Sequence, residues 1–598
     1  MIATFKKIGL LILATLAFYA CSLKQMVKLA EQQELTVTPS PLELHGDSVK
    51  FEVSAVLPVK LLKKNKIYTI KTKYAYGDPT QELDQFEFSD VEFPNQKIEQ
   101  PNKKQSFSMF YEDAMETGEL KIKGVASNLA KTKYKETEEL KIADGVITTS
   151  RSVAYAYDIS LADHGYNNKE ELIPTNVSFQ FKKGSAKLTS SEVKGNSGQE
   201  LNAFIAAKNV TRTVTITGSH SPEGLESVNS KLAEDRAKVI KNFYYSKMKS
   251  YDYKNLADSI KFETIAIFQK WDQFLSLVDA NSSLSDENKG DIKSIVSGSG
   301  SYRDKEKTLS KKSYYNTLTS EVYPTLRYSK TRILSVKKKK TNAEINILAN
   351  SIIKGTAKID TLSNEELMYA ATLTPLSDEK KAIYKAVADK HATWQAHNNL
   401  AAIYLQDAKK ATNATAKKAI VEKAKAQSEI AVNKDANAIT LNNLAATQLL
   451  LGDRKTAMST YERAANASGA NSEVLKGLNA GRGSIEVRNG NYNRAITLLK
   501  GANDNNDEAL YNLGLAYLLS KDYSNAQQAL EAAIYVNKKN ALAHYANAIV
   551  GARKGNETLI VNNLKEAVKL DGNLRDKAIK DLEFKKYWEN AQFIESLK

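Results

Sequence analysis

Between residues 36 and about 175 the chain alternates apolar and polar positions with a period of two. The stretch "DSVKFEVSAVLPVK" puts Val49, Phe51, Val53 and Ala55 on one face, and "IYTIKTKYAYG" does the same with Tyr68, Ile70, Thr72, Tyr74 and Tyr76. Such alternation, rich in β-branched and aromatic residues, marks half-buried strands. Turn signals recur at "GDPT" (77–80), "PNQ" (94–96) and "QPNKK" (100–104). Short strands at this spacing predict one or two β-sandwiches over 36–175. From 176 to 336 the pattern is mixed. "VSFQFKKGSAKL" and "RTVTITG" read as strands, whereas "LNAFIAAKNV" and "NSKLAEDRAKVIKNFYYSKM" carry helical periodicity. The alternation predicts an α+β domain interrupted at about 250–322 by a helical or loop-like insertion, and closed by the strand "YPTLRYSKTRILSV" (323–336). "KKKK" at 337–340 opens a predicted solvated linker, 337–361. From about 341 onward the chain is helical and repeats at about 34 residues, with the repeat array proper assigned to 362–598.

The repeat frame is clearest in "EALYNLGLAYLLSKDYSNAQQALEAAIYVNKKN", with Leu513, Gly514, Tyr517, Ala526, Leu530 and Ala533. Leu444, Ala445, Ala457, Tyr461 and Ala464 occupy the same frame, as do Gly483, Ala495, Leu499 and Ala502. These positions resemble the tetratricopeptide family. The resemblance implies about six helix pairs, a concave surface that binds protein segments, and a polar-faced capping helix near the end, "AIKDLEFKKYWENAQFIESLK". A stiff structural spacer is the other reading of such an array.

The first residues, "MIATFKKIGLLILATLAFYACS", set Lys6 and Lys7 before a short apolar run that ends at Cys21, the one cysteine of the chain. The run is too short to span a bilayer. It resembles a bacterial lipoprotein signal peptide over 1–20, with Phe18 and Tyr19 where Leu and a small residue are usual. The resemblance implies lipidation of Cys21 and a tether over 21–35. Acyl chains contribute roughly 0.8 kcal/mol per buried CH₂, enough to anchor the protein. An ordinary secretory signal with an incidental Cys21 is the alternative. No acidic run follows Cys21, which favours the periplasmic face of the outer membrane. With a single cysteine no intramolecular disulfide can form.

The net charge of +16 comes mostly from lysine. The lysines are scattered and no basic-aromatic stripe recurs, so a solvated exterior is the reading and no nucleic-acid partner is expected. The six histidines, His45, His164, His220, His391, His397 and His544, show no metal-ligand spacing, and no nucleophile elbow or phosphate loop follows a strand. No catalysis, cofactor or metal is expected.

One turn does carry chemistry. In "TVTITGSHSPEGLESVNSKLAEDRA", the residues Gly218, Gly224, Asn229, Leu232, Arg236 and Ala237 resemble the frame of the OmpA-like peptidoglycan-binding domain, in an expanded variant that contains "SPEG" and closes on Tyr323, Pro324, Leu326 and Arg327. In that family an aspartate and the helix arginine grip a peptide-stem amino acid. Here Arg236 is kept, Ser221 stands at the aspartate position, and Glu223 follows two residues on. The peptidoglycan-binding residues that the resemblance implies are Arg236, Asn229, Ser221 and Glu223. Taken together, the chain is expected to be a non-enzymatic lipoprotein scaffold on the periplasmic face of the outer membrane. It would recruit envelope proteins through its repeats as an accessory subunit of an assembly or secretion complex. The alternative is a peptidoglycan tether.

Overall fold

The computed structural model describes residues 22–78, 80–253, 257–268 and 271–598; the predicted signal stretch and Cys21 lie outside the described residues. Two compact units result. One joins the residues up to Tyr166 to Ile345–Lys598, and the other is Asn167–Glu344.

In the first unit the N-terminal part is sheet-rich. Strands β1 (Glu34–Thr38), β2 (Leu42–His45), β3 (Ser48–Val56), β7 (Asn102–Phe110) and β11 (Val146–Ile147) form one sheet, with β3 at its centre. Strands β4 (Lys66–Ala75), β5 (Thr80–Glu82), β6 (Phe86–Ser89), β8 (Glu119–Asn128), β9 (Tyr134–Glu136) and β10 (Leu140–Asp144) form the other. Alternate residues of β3 and β4, among them Phe51, Val53, Tyr68 and Tyr74, meet Phe86, Phe88 and Phe107 in one core. The sheets therefore make a single sandwich. Helical residues 22–30 contribute Leu23, Met26 and Ala30 to the same core.

The C-terminal half is all-helical. Its helices pair as Trp394–Lys410 with Ala414–Lys434, Ala438–Leu450 with Arg454–Ala465, Ser472–Arg488 with Tyr492–Lys500, Asp507–Leu519 with Tyr523–Val536, and Ala541–Lys554 with Glu557–Leu570. Short polar side chains start them: Asn437, Asn471, Asn506, Asn540 and Asn556 each accept from a backbone N–H in the first turn. Within a pair the helices nearly touch. A Cβ on Gly483 would lie 2.5 Å from Leu499 Cγ, and one on Gly514 would lie 2.5 Å from Leu530 Cγ.

Three features of this unit differ from the sequence expectation. The stretch expected to be a tether, 21–35, is folded where described: residues 22–30 are helical, pack Leu23, Met26 and Ala30 into the sandwich core, and lead into β1 at Glu34. The predicted linker 337–361 contains the helix Asn342–Ile353, whose Ile345, Ala349 and Ile352 pack with Leu367 and Val387 of the array. Those residues recur at helical spacing and bury one stripe. The sandwich and the array also share their unit instead of standing as separate modules. Arg553 pairs with Glu43 at 2.7 Å, Arg488 donates to Gly46 O at 3.1 Å, and His45 bonds Tyr492 Oη at 2.7 Å.

The second unit holds a four-stranded sheet ordered β12 (Leu172–Gln180), β15 (Tyr328–Val336), β13 (Thr211–Gly218), β14 (Lys261–Ala266). Strand β15 is antiparallel to both of its neighbours, and β13–β14 is parallel. Helices Asn196–Ala206 and Glu226–Ser250 cover it, burying Phe179, Leu201, Val214, Ile216, Ile240 and Tyr244. Strand β14 lies inside the stretch expected to be an insertion. Its polar, half-exposed face hid it, because an edge strand buries little. The helical remainder up to Leu326 has its own core around Phe274, Ile292, Leu309 and Tyr323.

Candidate functional site

The turn singled out in the sequence is closed on itself. Helix Glu226–Ser250 lies directly over β13, so a Cβ on Gly218 would come within 1.9 Å of Ala233 O. Ser221, Glu223, Asn229 and Arg236 are all buried, Arg236 to 1 % exposure. The Arg236 guanidinium donates to Ser219 O at 2.7 Å, Ser185 O at 3.1 Å and Lys182 O at 3.2 Å, and it lies over the Phe181 ring. Burial, and then the neighbouring Arg327, bring its pKa down to about 10. Asn229 Nδ2 donates to the carbonyls of Ser221 and Glu223, holding the turn's shape. Arg327 supplies the partner that the sequence left open: it pairs with Glu223 and donates from Nε to Ser221 Oγ at 3.1 Å. The structure thus brings all four residues together, but in a knot whose charged groups face one another and the backbone.

The second site was not foreseen. Residues 152–166 form no strand of the sandwich. They run extended along the helices of the array, from its C-terminal end to its N-terminal end. Tyr511 Oη donates to Ser152 O at 2.6 Å, and Tyr166 stacks on Tyr369 at 4.9 Å. Asparagine side chains grip the backbone of this strap. Asn512 accepts from Ala154 N–H and donates to Ala154 O. Asn443 does the same for Ser160, at 3.0 and 2.7 Å, and Asn399 for Ala162, at 2.7 and 3.0 Å. Ser484 Oγ accepts from Ala156 N–H at 3.2 Å and is itself held by Asn512 at 2.8 Å. Asn399, Asn443, Ser484 and Asn512 are all at most 2 % exposed.

Each grip works as a paired amide would in a sheet: one side chain satisfies both the donor and the acceptor of one strap residue. Small side chains take most of the alternate strap positions: Ala156 and Ala162 are buried, Ala154 and Ser160 half-buried, and Asp158 is the larger exception. Large residues alternate with them. Tyr157 packs against Leu405, Ala424 and Ala446, while Leu161 is exposed. Two signals in the sequence mark this site. "VAYAYDISLA" alternates large and small, and Asn399, Asn443 and Asn512 each precede the pair Leu-Ala or Leu-Gly of the repeat frame. The first reads equally well as an ordinary strand.

Residues 507–540 match the tetratricopeptide repeat family. The matched repeat is the helix pair Asp507–Leu519 and Tyr523–Val536. No curated protein matches the chain. Among solved structures, YrrB, described as a TPR protein with an unusual peptide-binding site, is 19% identical, with 34% of this chain and 96% of that one covered and a TM-score of 0.25. The APC/C hetero-tetramer Cut9–Hcn1 is 13% identical over 63% of this chain and 77% of that one, with a TM-score of 0.32. Pseudomonas aeruginosa pilF is 18% identical over 33% and 97%, with a TM-score of 0.23. Among the described residues no helix is long and apolar enough to cross a membrane, and no group of three His, Cys, Asp or Glu could hold a metal ion.

Proposed function

We propose that this protein is a non-enzymatic scaffold lipoprotein, held through Cys21 on the periplasmic face of the outer membrane. It recruits envelope proteins through its repeats as an accessory subunit of an assembly or secretion complex. The observation that carries the scaffold reading is the amide ladder: the repeats present a surface built to hold extended polypeptide by its backbone. The outer helices add a second feature. Tyr535 is 85% exposed and sits beside the part-exposed Val536 on helix Tyr523–Val536. An isolated aromatic this exposed, next to another apolar side chain, is the kind of anchor that interfaces use.

A photo-crosslinking residue at position 535 of the full chain is expected to give discrete adducts with envelope proteins. Their absence there and at the exposed Ile347 sinks the scaffold reading. Cys21→Ala is expected to move the protein from the membrane to the soluble fraction; unchanged pelleting sinks the anchor. The tether reading gets less support, since Arg236 directs its guanidinium to three backbone carbonyls. Co-sedimentation of the full chain with purified peptidoglycan, abolished by a folded Arg236→Lys variant, would restore it.

A further inference from the structure

Asp158 is the one acid of residues 152–162, and its backbone O accepts from Asn442 Nδ2 at 2.8 Å. Asp158 accepts from Asn506 Nδ2 at 2.8 Å, yet it lies in a region that already holds the acids Asp507 and Glu508. The Glu508 side chain is 37% exposed; partial burial raises its carboxyl, Lys409 draws it down, Asp507 raises it, and Asp158 adds the smallest push upward. Lys409 and Lys417 are the cations that act on it. Lys409 lies 3.8 Å from Glu508 Oε2 and also donates to Tyr157 O. Three buried atoms around this point make no hydrogen bond among the described residues: Glu508 Oε2, Asn442 Oδ1 and Tyr157 Oη. Native cores leave few such groups. Elsewhere the grip is mainly on backbone, with Ser160 Oγ accepting from Asn442 at 3.0 Å and Ser152 Oγ from Lys577 at 3.0 Å. Gly477 keeps the centre open, since a Cβ there would meet Asp158 Cβ at 2.9 Å.

We propose that the groove is an exchangeable peptide site whose resident, imperfect ligand is the strap, residues 152–162. The ligand that displaces it is an extended segment of a partner protein with small residues at alternate positions and no acid in the place of Asp158. This rests on the scaffold reading and names the partner's chemistry. Because the strap belongs to the same chain, it competes at an effective concentration of about millimolar or more. The seated strap therefore screens out weak ligands, and only a segment that matches the centre better takes over.

The test uses the full chain carrying Ala156→Arg and Ala162→Arg, which cannot seat at positions 0 % and 6 % exposed. Labelled synthetic peptides of residues 151–166, native and with Asp158→Asn, are titrated by fluorescence anisotropy. The strap-out chain is expected to bind both, the Asn peptide more tightly, and the wild-type chain to bind at least about tenfold more weakly. A strap-out chain with wild-type helix content that binds neither peptide overturns the proposal, and so does equal binding by the wild type. If the double variant does not fold, native-state hydrogen exchange on the wild type decides. Exchange of the Ala154, Ala156, Ser160 and Ala162 amides before those of helices Ala438–Leu450 and Asp507–Leu519 supports the exchangeable strap. Exchange only with global unfolding makes the strap a fixed part of the core and overturns it. Crosslinking at position 535 does not depend on the strap, so loss of adducts there is the separate failure of the scaffold reading.

Discussion

Single side chains in this protein hold more than one partner each, and that makes their removal costly. Asn512 is fully buried and satisfies both backbone groups of Ala154 as well as Ser484 Oγ. Asn512→Ala leaves buried polar groups without partners, so about 1–3 kcal/mol of stability is expected to be lost. Urea unfolding with an unchanged slope is the check; a loss within error would show that water replaces the amide. Arg327 and Glu223 pose a different case. Both are buried and each is the other's counter-charge. Arg327→Met removes the ion-pair partner of Glu223 and leaves it only the charge of Arg236, for an expected cost of up to about 3–5 kcal/mol, because a poorly compensated buried charge is expensive. Adding Glu223→Gln removes that charge and is expected to recover most of that loss. Unfolding followed at Trp271, with Trp394 and Trp588 changed to Phe, reads the second unit alone. Equal losses for the single and double variants would mean that packing, not charge, sets the cost.

Elements are where sequence and structure can be weighed against each other. Strands such as Ser48–Val56 were legible because one face is buried and the other is wet, which writes a period of two into the residues. The repeats were legible because close helix packing demands Gly or Ala at fixed places. Strand β14 was not, for a physical reason: an edge strand with one neighbour needs no apolar alternation. The strap misled in the opposite direction. Its alternation is real, but its partners are asparagines hundreds of residues away in the chain, and period two says nothing about what does the pairing. At the turn, the grouping of Ser221, Glu223, Asn229 and Arg236 was readable from spacing. The closing role of Arg327 depended on where the last strand returns. The junction of strand Leu42–His45 with helix Ala541–Lys554 yields a pH prediction. Burial pushes the Glu43 carboxyl up, but its bond to His45 and the charge of Arg553 prevail and hold it at about 2. A depressed acid stabilises the fold above its unfolded pKa and loses that contribution as pH falls through the folded one. Thermal stability of the wild type is therefore expected to drop between pH about 5 and 2 more steeply than that of Glu43→Gln. Glu583, pushed up chiefly by burial, acts in the opposite sense in both proteins, so the difference between the two curves is the quantity to compare. Parallel curves would show that Glu43 is not linked to folding.

At the scale of the molecule, the strap changes what kind of object the array is. A bare solenoid gains stability from each repeat and from contacts with the next, so its ends open before its middle. Here one extended segment is bonded to Asn399, Asn443, Ser484 and Asn512, which sit on four different helices spread over more than a hundred residues. Opening any of those helices breaks strap bonds, and net hydrogen-bond contributions of about 1 kcal/mol each then tie distant repeats together. The strap also leads straight from the sandwich, where Thr149 bonds Glu583 at 2.7 Å, so the sandwich is tied to the same event. Unit one is accordingly expected to unfold in a single urea transition, with sheet and helix signals coincident. With Ala156→Arg and Ala162→Arg the ties are cut while every helix pair keeps its own packing. The helices from Trp394 to Lys434 are then expected to melt apart from those between Asp507 and Leu570, giving a broadened or stepped transition. Residue-resolved hydrogen exchange reads the same contrast directly. Opening energies should be nearly uniform across these helices in the wild type and graded in the variant. Graded energies already present in the wild type would show that the strap lies in the groove without coupling the repeats, and the array would then behave as an ordinary chain of nearest neighbours.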